Sequence, residues 1–131
     1  VYPIWHDRYG WPKFGNHPRK MDSDGTGEIW EFPMAVGSLG PFQIPFGGGG
    51  YLRSYPFFLT KALFRSRARK DSPVVLYIHP WEIDTQHPAV QAPFFRRFRH
   101  KIGIPKLERK LVALLELMKF GTVGQYLEEV A

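Results

Sequence analysis

Residues 74–78 place the strongest constraint on the fold of this chain. The run reads Val-Val-Leu-Tyr-Ile and is bounded by Pro73 and Pro80. A short, mostly β-branched run between breakers is typical of a strand that is covered on both faces, as in a parallel sheet. Helical patterns lie before it in residues 55–70 and after it from Pro105 onward. This order predicts an α/β fold that ends in two C-terminal helices.

The first half of the chain carries one predicted strand and one predicted helix. Residues 28–33 alternate polar and apolar side chains and end at a proline, which indicates a strand. In the helix over residues 55–70, Ser54 is the expected N-cap and Pro56 suits the first turn. Its expected apolar face consists of Phe58, Leu59, Ala62 and Leu63.

The second half is predicted to hold a long loop over residues 84–104 and then two helices. Pro105 opens the first, and Thr122 with Gln125 forms a capping box before the second. The apolar arc of the first helix consists of Leu107, Leu111, Leu114, Leu115 and Met118. The last helix has an apolar face of Val123, Tyr126, Leu127 and Val130.

Composition limits the class of protein. A length of 131 residues is that of one ordinary domain, so we predict a single domain over residues 1–131. The absence of cysteine excludes disulfides and thiolate metal sites. Apolar runs fall far short of the roughly 18 residues of a spanning helix, so we expect no membrane span.

His79 follows the predicted buried strand and is the sharpest candidate for chemistry. In parallel α/β folds, ligands bind just beyond the carboxyl ends of strands. An imidazole at that place can act as a general acid or base. The other interpretation is that His79 caps the strand end by bonding to local backbone. Trp81 and Glu82 follow it closely and complete the candidate cluster.

A second polar cluster, His6, Asp7, Arg8 and Tyr9, opens the chain. The Asp could orient the His and the Arg could clamp an anion or a sugar hydroxyl, or the two could simply tie down the first loop. Residues 47–50 are all glycine and precede Tyr51 and Arg53. Their amides could cradle an anion, but the Gly-Lys-Ser/Thr ending of a phosphate loop is missing. The alternative is that the glycines let the backbone pass close to another group.

The charges and histidines bear on two further classes of partner. The net charge is +6, and residues 96–101 mix basic side chains with Phe98 in a way that can track nucleic acid. Carboxylates lie among the candidate site residues, so the charge is not concentrated and we expect no nucleic acid partner. The five histidines show no metal-ligand spacing, so we expect no metal site within this chain.

Several short motifs, taken in order, resemble the C-terminal part of bacterial polysaccharide deacetylases of the NodB-homology group. The resemblance is to the subgroup linked to exosortase and exopolysaccharide gene clusters, in which an uncharacterised domain follows the deacetylase region. The motifs are Tyr2-Pro3-Ile4, His6-Asp7-Arg8-Tyr9-Gly10, Trp30-Glu31-Phe32-Pro33, residues 45–53 with Pro56, and Ile78-His79-Pro80-Trp81-Glu82.

This resemblance implies a distorted (β/α) barrel that hydrolyses N-acetyl groups of a polysaccharide with a divalent metal, usually zinc. His79 matches the late His that protonates the departing amine. The family's usual Leu two residues earlier is Tyr77 here, and the Asp that often follows is Pro80. The implied substrate-groove residues are His6, Asp7, Arg8, Tyr9, Glu31, Tyr51, Arg53, Trp81 and Glu82.

The family's metal and base motifs do not occur in this sequence and are expected upstream of Val1. The chain alone is therefore expected to be inactive and to hold no cofactor. Its expected partners are an N-acetylated polysaccharide and either the missing N-terminal half or a second copy, in the bacterial cytoplasm or cell envelope. The alternative is a non-catalytic module that binds a glycan or a protein.

Overall fold

A computed structural model describes residues 3–4, 10–22, 24–68, 73–88, 91 and 93–130. Over these residues the fold mixes two small antiparallel sheets with helices, which confirms the α/β class. The strands are β1 (Arg19–Asp22), β2 (Glu28–Glu31), β3 (Val36–Leu39) and β4 (Phe42–Pro45). The helices are α1 (Gly49–Ser54), α2 (Phe57–Ala68), α3 (Phe94–Lys101), α4 (Ile104–Leu117) and α5 (Val123–Val130), with short 3-10 turns at Pro12–Phe14 and Pro80–Glu82.

Each sheet is a two-stranded hairpin. β1 pairs with β2 and β3 pairs with β4, both in the antiparallel sense. The β3–β4 connection is tight, and Gly40 takes a positive φ of 60° there, which favours glycine. The strand predicted over residues 28–33 is confirmed as β2, although the ladder ends at Glu31.

Residues 74–78 do not form the fully covered strand that their composition predicts. They are extended and make two isolated parallel bridges, Val75 with Met34 and Tyr77 with Gly48. The parallel sense agrees with the prediction, but most of these side chains are only partly buried and Tyr77 is exposed. Because the two partners come from separate segments, neither side builds a continuous ladder. No barrel is present in the described part of the chain.

The core lies between the start of β3 and helices α2 and α4. It consists of Ala35, Phe46, Leu63, Phe64 and Leu114. The rings of Phe46 and Phe64 meet edge to face with centroids 5.0 Å apart, a favoured aromatic geometry. This core fixes the end of β4 against α2, so it also fixes the glycine run that leads into α1.

The helix predicted over residues 55–70 is wrong at its start. Ser54 ends the separate helix α1, where its hydroxyl donates to the Gly50 carbonyl at 2.7 Å, so it does not cap α2. The predicted apolar face is also rotated, since Phe58 is 72% exposed whereas Thr60 and Phe64 are buried. The buried stripe follows the spacing of Thr60, Leu63, Phe64 and Arg67.

The second half of the chain holds one error and two confirmed helices. Residues 84–104 are not all loop, because α3 occupies part of them. The helix predicted from Pro105 is confirmed as α4, and its Leu107 and Leu114 are buried. The capping box of α5 is confirmed. The backbone N–H of Gln125 donates to Thr122 Oγ1 at 3.1 Å, and the backbone N–H of Thr122 donates to Gln125 Oε1 at 2.8 Å. Among the described residues, no helix combines the length and the apolar character needed to cross a membrane.

Candidate functional site

A buried ion pair stands at the centre of the candidate site. Arg53 Nε of α1 lies 3.2 Å from Glu82 Oε1 of the turn Pro80–Glu82. The two side chains are only 7% and 3% exposed. A charge that is removed from water costs free energy unless an opposite charge lies beside it. Each of the two side chains therefore requires the other.

Arg53 also joins two distant segments. Its Nη1 donates to the carbonyl of His100, at the end of α3, and to the carbonyl of Ile102 at 3.1 Å. The planar guanidinium supplies these donors in a fixed arrangement. One side chain therefore sets the position of the turn that follows His79 and of the C-terminal end of α3.

Glycines allow these groups to approach one another. A Cβ added to Gly49 would lie 2.8 Å from Cδ of Glu82, and one added to Gly103 would lie 2.8 Å from the carbonyl carbon of Arg53. Gly103 in addition takes a positive φ of 72°. The interpretation of the glycine run as a close backbone approach is thus confirmed: the Val75 backbone and the Tyr77 ring approach Gly47 and Gly48, and Glu82 approaches Gly49.

Backbone bonds hold residue 77 against the same run. The Gly49 amide donates to the Tyr77 carbonyl and the Tyr77 amide donates to the Gly47 carbonyl, each at 2.9 Å. Lys110 of α4 fixes the other end of α1, where its Nζ donates to the carbonyls of Leu52 and Tyr55 at 2.9 and 2.7 Å. A cation at the C-terminus of a helix also favours the helix dipole.

His79 lies directly above this framework. Its backbone amide donates to Glu82 Oε2 at 3.1 Å, and its side chain is exposed. The imidazole is 5.4 Å from the Tyr77 ring, nearly perpendicular to it, and 6.1 Å from the Trp81 ring, nearly parallel to it. The main chain of His79 is therefore fixed by a buried carboxylate, while its ring faces outward between two aromatic rings.

Four rings form what we name the imidazole–indole cluster: His79, Trp81, His87 and His100. The Trp81 and His100 rings stack at 4.2 Å with an angle of 13°. His87 lies 5.9 Å from Trp81 and 5.5 Å from His100. The Arg53 guanidinium lies 5.2 Å from the centre of the Trp81 ring, which adds a cation–π contact.

The environment of His100 disfavours its charged form. Burial lowers the pKa of His100, and the nearby His87 and Arg53 lower it further, whereas Glu82 opposes them. Protonation would add a positive charge close to the Arg53 guanidinium. The neutral form of His100 is therefore favoured in the folded protein.

Acidification is accordingly expected to destabilise the fold. A folded-state pKa below that of the unfolded chain means that the unfolded state binds more protons as the pH falls through about 6.5, so the free energy of unfolding decreases as the pH is lowered. Urea unfolding at about pH 7.5 and about pH 5 measures the difference. The variant His100→Phe keeps a ring on Trp81 and is expected to reduce the difference; an undiminished dependence would contradict this assignment.

The other predicted site residues lie in different places. Tyr51 is half-buried on α1, with its ring 5.7 Å from that of Tyr55, and Glu31 ends β2, opposite Arg19 in the hairpin. Arg53 and Glu82 are buried and paired, which gives them a positioning role, and their contact with substrate stays a prediction. His6, Asp7, Arg8 and Tyr9 lie outside the described residues.

Three residues of the site escaped the prediction. His87 and His100 fall within residues 84–104, which are predicted to be a loop, and Lys110 belongs to no local motif. Helical spacing from Phe94 to Phe98, after Pro93, was the signal that could have placed His100 on a helix. Across the described ranges, no group of three or more His, Asp or Glu side chains has the arrangement of a metal site.

The family of the chain follows from a family model that matches residues 1–128, described as a domain of unknown function, DUF3473. The chain belongs to the DUF3473 family. Curated proteins and solved structures give no significant match. Arg53, His79, Glu82 and the imidazole–indole cluster all lie within the DUF3473 match.

Proposed function

We propose that this DUF3473 domain forms the substrate face of a bacterial polysaccharide deacetylase that acts in exopolysaccharide biosynthesis, with His79 as its general acid. The support is the match between the motifs at residues 45–53 and 78–82 and those of the deacetylases that the sequence resembles. These same two segments meet in the structure through Arg53 and Glu82.

The observation that carries the proposal is that His79 combines an exposed ring with a fixed backbone. Its ring is exposed, while the buried carboxylate of Glu82 holds its backbone amide at 3.1 Å. A general acid needs a fixed position and access to the substrate. The exposed ring of Tyr77 beside it is a surface on which the apolar face of a sugar can stack.

In the proposed reaction His79 acts when the amide C–N bond breaks. Water adds to the acetyl carbonyl and gives a proton to a base outside this chain, the tetrahedral adduct collapses, and the imidazolium of His79 donates its proton to the departing sugar amine. Acetic acid, which ionises to acetate, and the free amine result. A divalent ion, held by residues of the longer protein, would polarise the carbonyl and activate the water. Arg53 and Glu82 are positioning residues in this scheme.

The proposal also includes the architecture: the domain is a portion of a distorted (β/α) barrel. The parallel bridges of residues 74–78 support it, because parallel pairing is the pairing found in such barrels. An open apolar cleft of about 960 Å³ lies beside this segment, lined among others by Val74, Leu76, Phe120 and Val123. Another portion of such a barrel, or a second copy, would cover it.

Acetate release tests the proposal. A protein that joins this chain to the metal-binding region of a deacetylase is expected to release acetate from chitin oligosaccharides, and the 131-residue chain alone is expected to release none. Calorimetric titration of the chain with the same oligosaccharides tests the alternative of a non-catalytic module. Saturable binding by the isolated chain, together with no acetate release by the longer protein, would overturn the deacetylase proposal in favour of that module.

A further inference from the structure

Helix α3 presents three phenylalanines to solvent. Phe94, Phe95 and Phe98 are 75%, 83% and 57% exposed. Their rings contact each other, with centroids 5.9 Å apart for Phe94 and Phe95 and 6.5 Å apart for Phe94 and Phe98. They form one continuous apolar surface, which we name the phenylalanine stripe. Exposed apolar surface concentrated in this way marks an interaction site more often than scattered single residues do.

The opposite face of α3 is fixed to the protein. At about 100° per residue, His100 lies on the side away from Phe94 and Phe95. His100 stacks on Trp81 at 4.2 Å, and its carbonyl accepts a hydrogen bond from Arg53. The helix is therefore attached through one face, and its phenylalanine stripe points outward from the domain.

Positive charge surrounds the stripe. Arg97 and Lys101 are exposed on α3, and the sequence places Arg96 and Arg99 on the same helix. No carboxylate occurs between Asp84 and Glu108, so nothing nearby in the sequence neutralises these cations. A helix with Phe on one side and Lys or Arg beside it is the pattern of a helix that lies in a membrane interface. The cations complement the phosphates of anionic lipids.

We propose that α3 docks this domain on the surface of an anionic lipid bilayer, with the phenylalanine stripe inserted at the level of the headgroups. The stripe supplies apolar burial, and Arg97 and Lys101 supply attraction to acidic headgroups. We favour a bilayer over nucleic acid because the three phenylalanines adjoin one another in one apolar surface, which suits insertion among headgroups. This inference does not depend on the deacetylase proposal.

Co-sedimentation with vesicles tests the inference. The chain is expected to bind vesicles of phosphatidylcholine and phosphatidylglycerol, to bind pure phosphatidylcholine much more weakly, and to lose binding as salt is raised. Phe95→Ser is expected to weaken binding about tenfold, because one aromatic ring no longer leaves water. Lys101→Glu is expected to weaken it about thirtyfold on the anionic vesicles, since one attraction becomes a repulsion.

Matched variants elsewhere on the surface provide the controls. Phe58→Ser removes a phenylalanine of α2 that is 72% exposed, and Arg109→Glu reverses an exposed charge on α4. Both are expected to bind within about twofold of the parent. Failure of the parent chain to bind anionic vesicles at low salt would overturn the proposal. Equal losses in the test and control variants would also overturn it, as would Phe95-dependent binding to poly-uridine without binding to vesicles.

Discussion

Glu82→Gln is expected to reduce the free energy of unfolding by about 3 kcal/mol, because it leaves the buried Arg53 charge without its counter-ion. Loss of one partner of a buried pair usually costs about 3–5 kcal/mol. The lower end of this range applies here, because the side-chain oxygen of glutamine can still accept the hydrogen bond from the His79 backbone N–H. In the parent protein that N–H donates to Glu82 Oε2 at 3.1 Å. Urea unfolding with an unchanged m-value measures the effect.

An exposed ion pair in the same chain gives the matched control. Lys20 Nζ lies 3.0 Å from Glu28 Oε2, and both side chains are largely exposed. Glu28→Gln makes the same chemical change at a place where solvent screens the charges, so its expected cost is below about 1 kcal/mol. If Glu82→Gln and Glu28→Gln reduced the free energy of unfolding by similar amounts, burial would not be what makes the Arg53–Glu82 pair important for stability.

Within the proposed deacetylase, His79→Ala is expected to reduce kcat for acetate release by about 10²–10⁴-fold. Without the imidazole, the amine must leave without a positioned proton donor. KM is expected to change much less, because the proton transfer belongs to the transition state. Kinetics on chitin oligosaccharides measure both constants.

The fold of that variant is expected to be intact. The His79 ring is exposed, and it is the backbone amide that bonds to Glu82, so the free energy of unfolding is expected to change by less than about 0.5 kcal/mol. His17→Ala removes an exposed histidine near β1 and is expected to leave kcat unchanged. A kcat for His79→Ala within a few-fold of the parent would remove the general-acid assignment.

Local patterns predicted the parts of the fold that local chemistry determines. The capping box of α5 consists of Thr122 and Gln125, three residues apart, and the start of α4 follows from Pro105. Of the two interpretations of the glycine run, the close backbone approach is confirmed. In each case the determining groups are neighbours in sequence, so their spacing alone carries the information.

The parts that escaped prediction depend on distant partners. Neither the segment around Arg53 nor the segment around Glu82 predicts that the two side chains pair. Their burial, which gives them a positioning role, could therefore not be predicted either. The apolar face of α2 was misplaced because Phe58 and Phe64 are equally apolar in sequence, and only packing against Phe46 selects Phe64. Helix α3 was not predicted because its apolar spacing, Phe94 to Phe98, extends over little more than one turn within a basic segment.

The framework beneath His79 has a consequence for the order in which the chain can fold. The bonds from Arg53 to His100 and Ile102 span 47 and 49 residues, and Lys110 reaches back 58 residues to Leu52. During synthesis, residues 49–53 and 79–82 must therefore wait for the segment through Lys110 to leave the ribosome before these contacts close. Closing such long loops is entropically costly, so the position of His79 is expected to be set late, after the contact between Phe46 and Phe64, which closes a shorter loop.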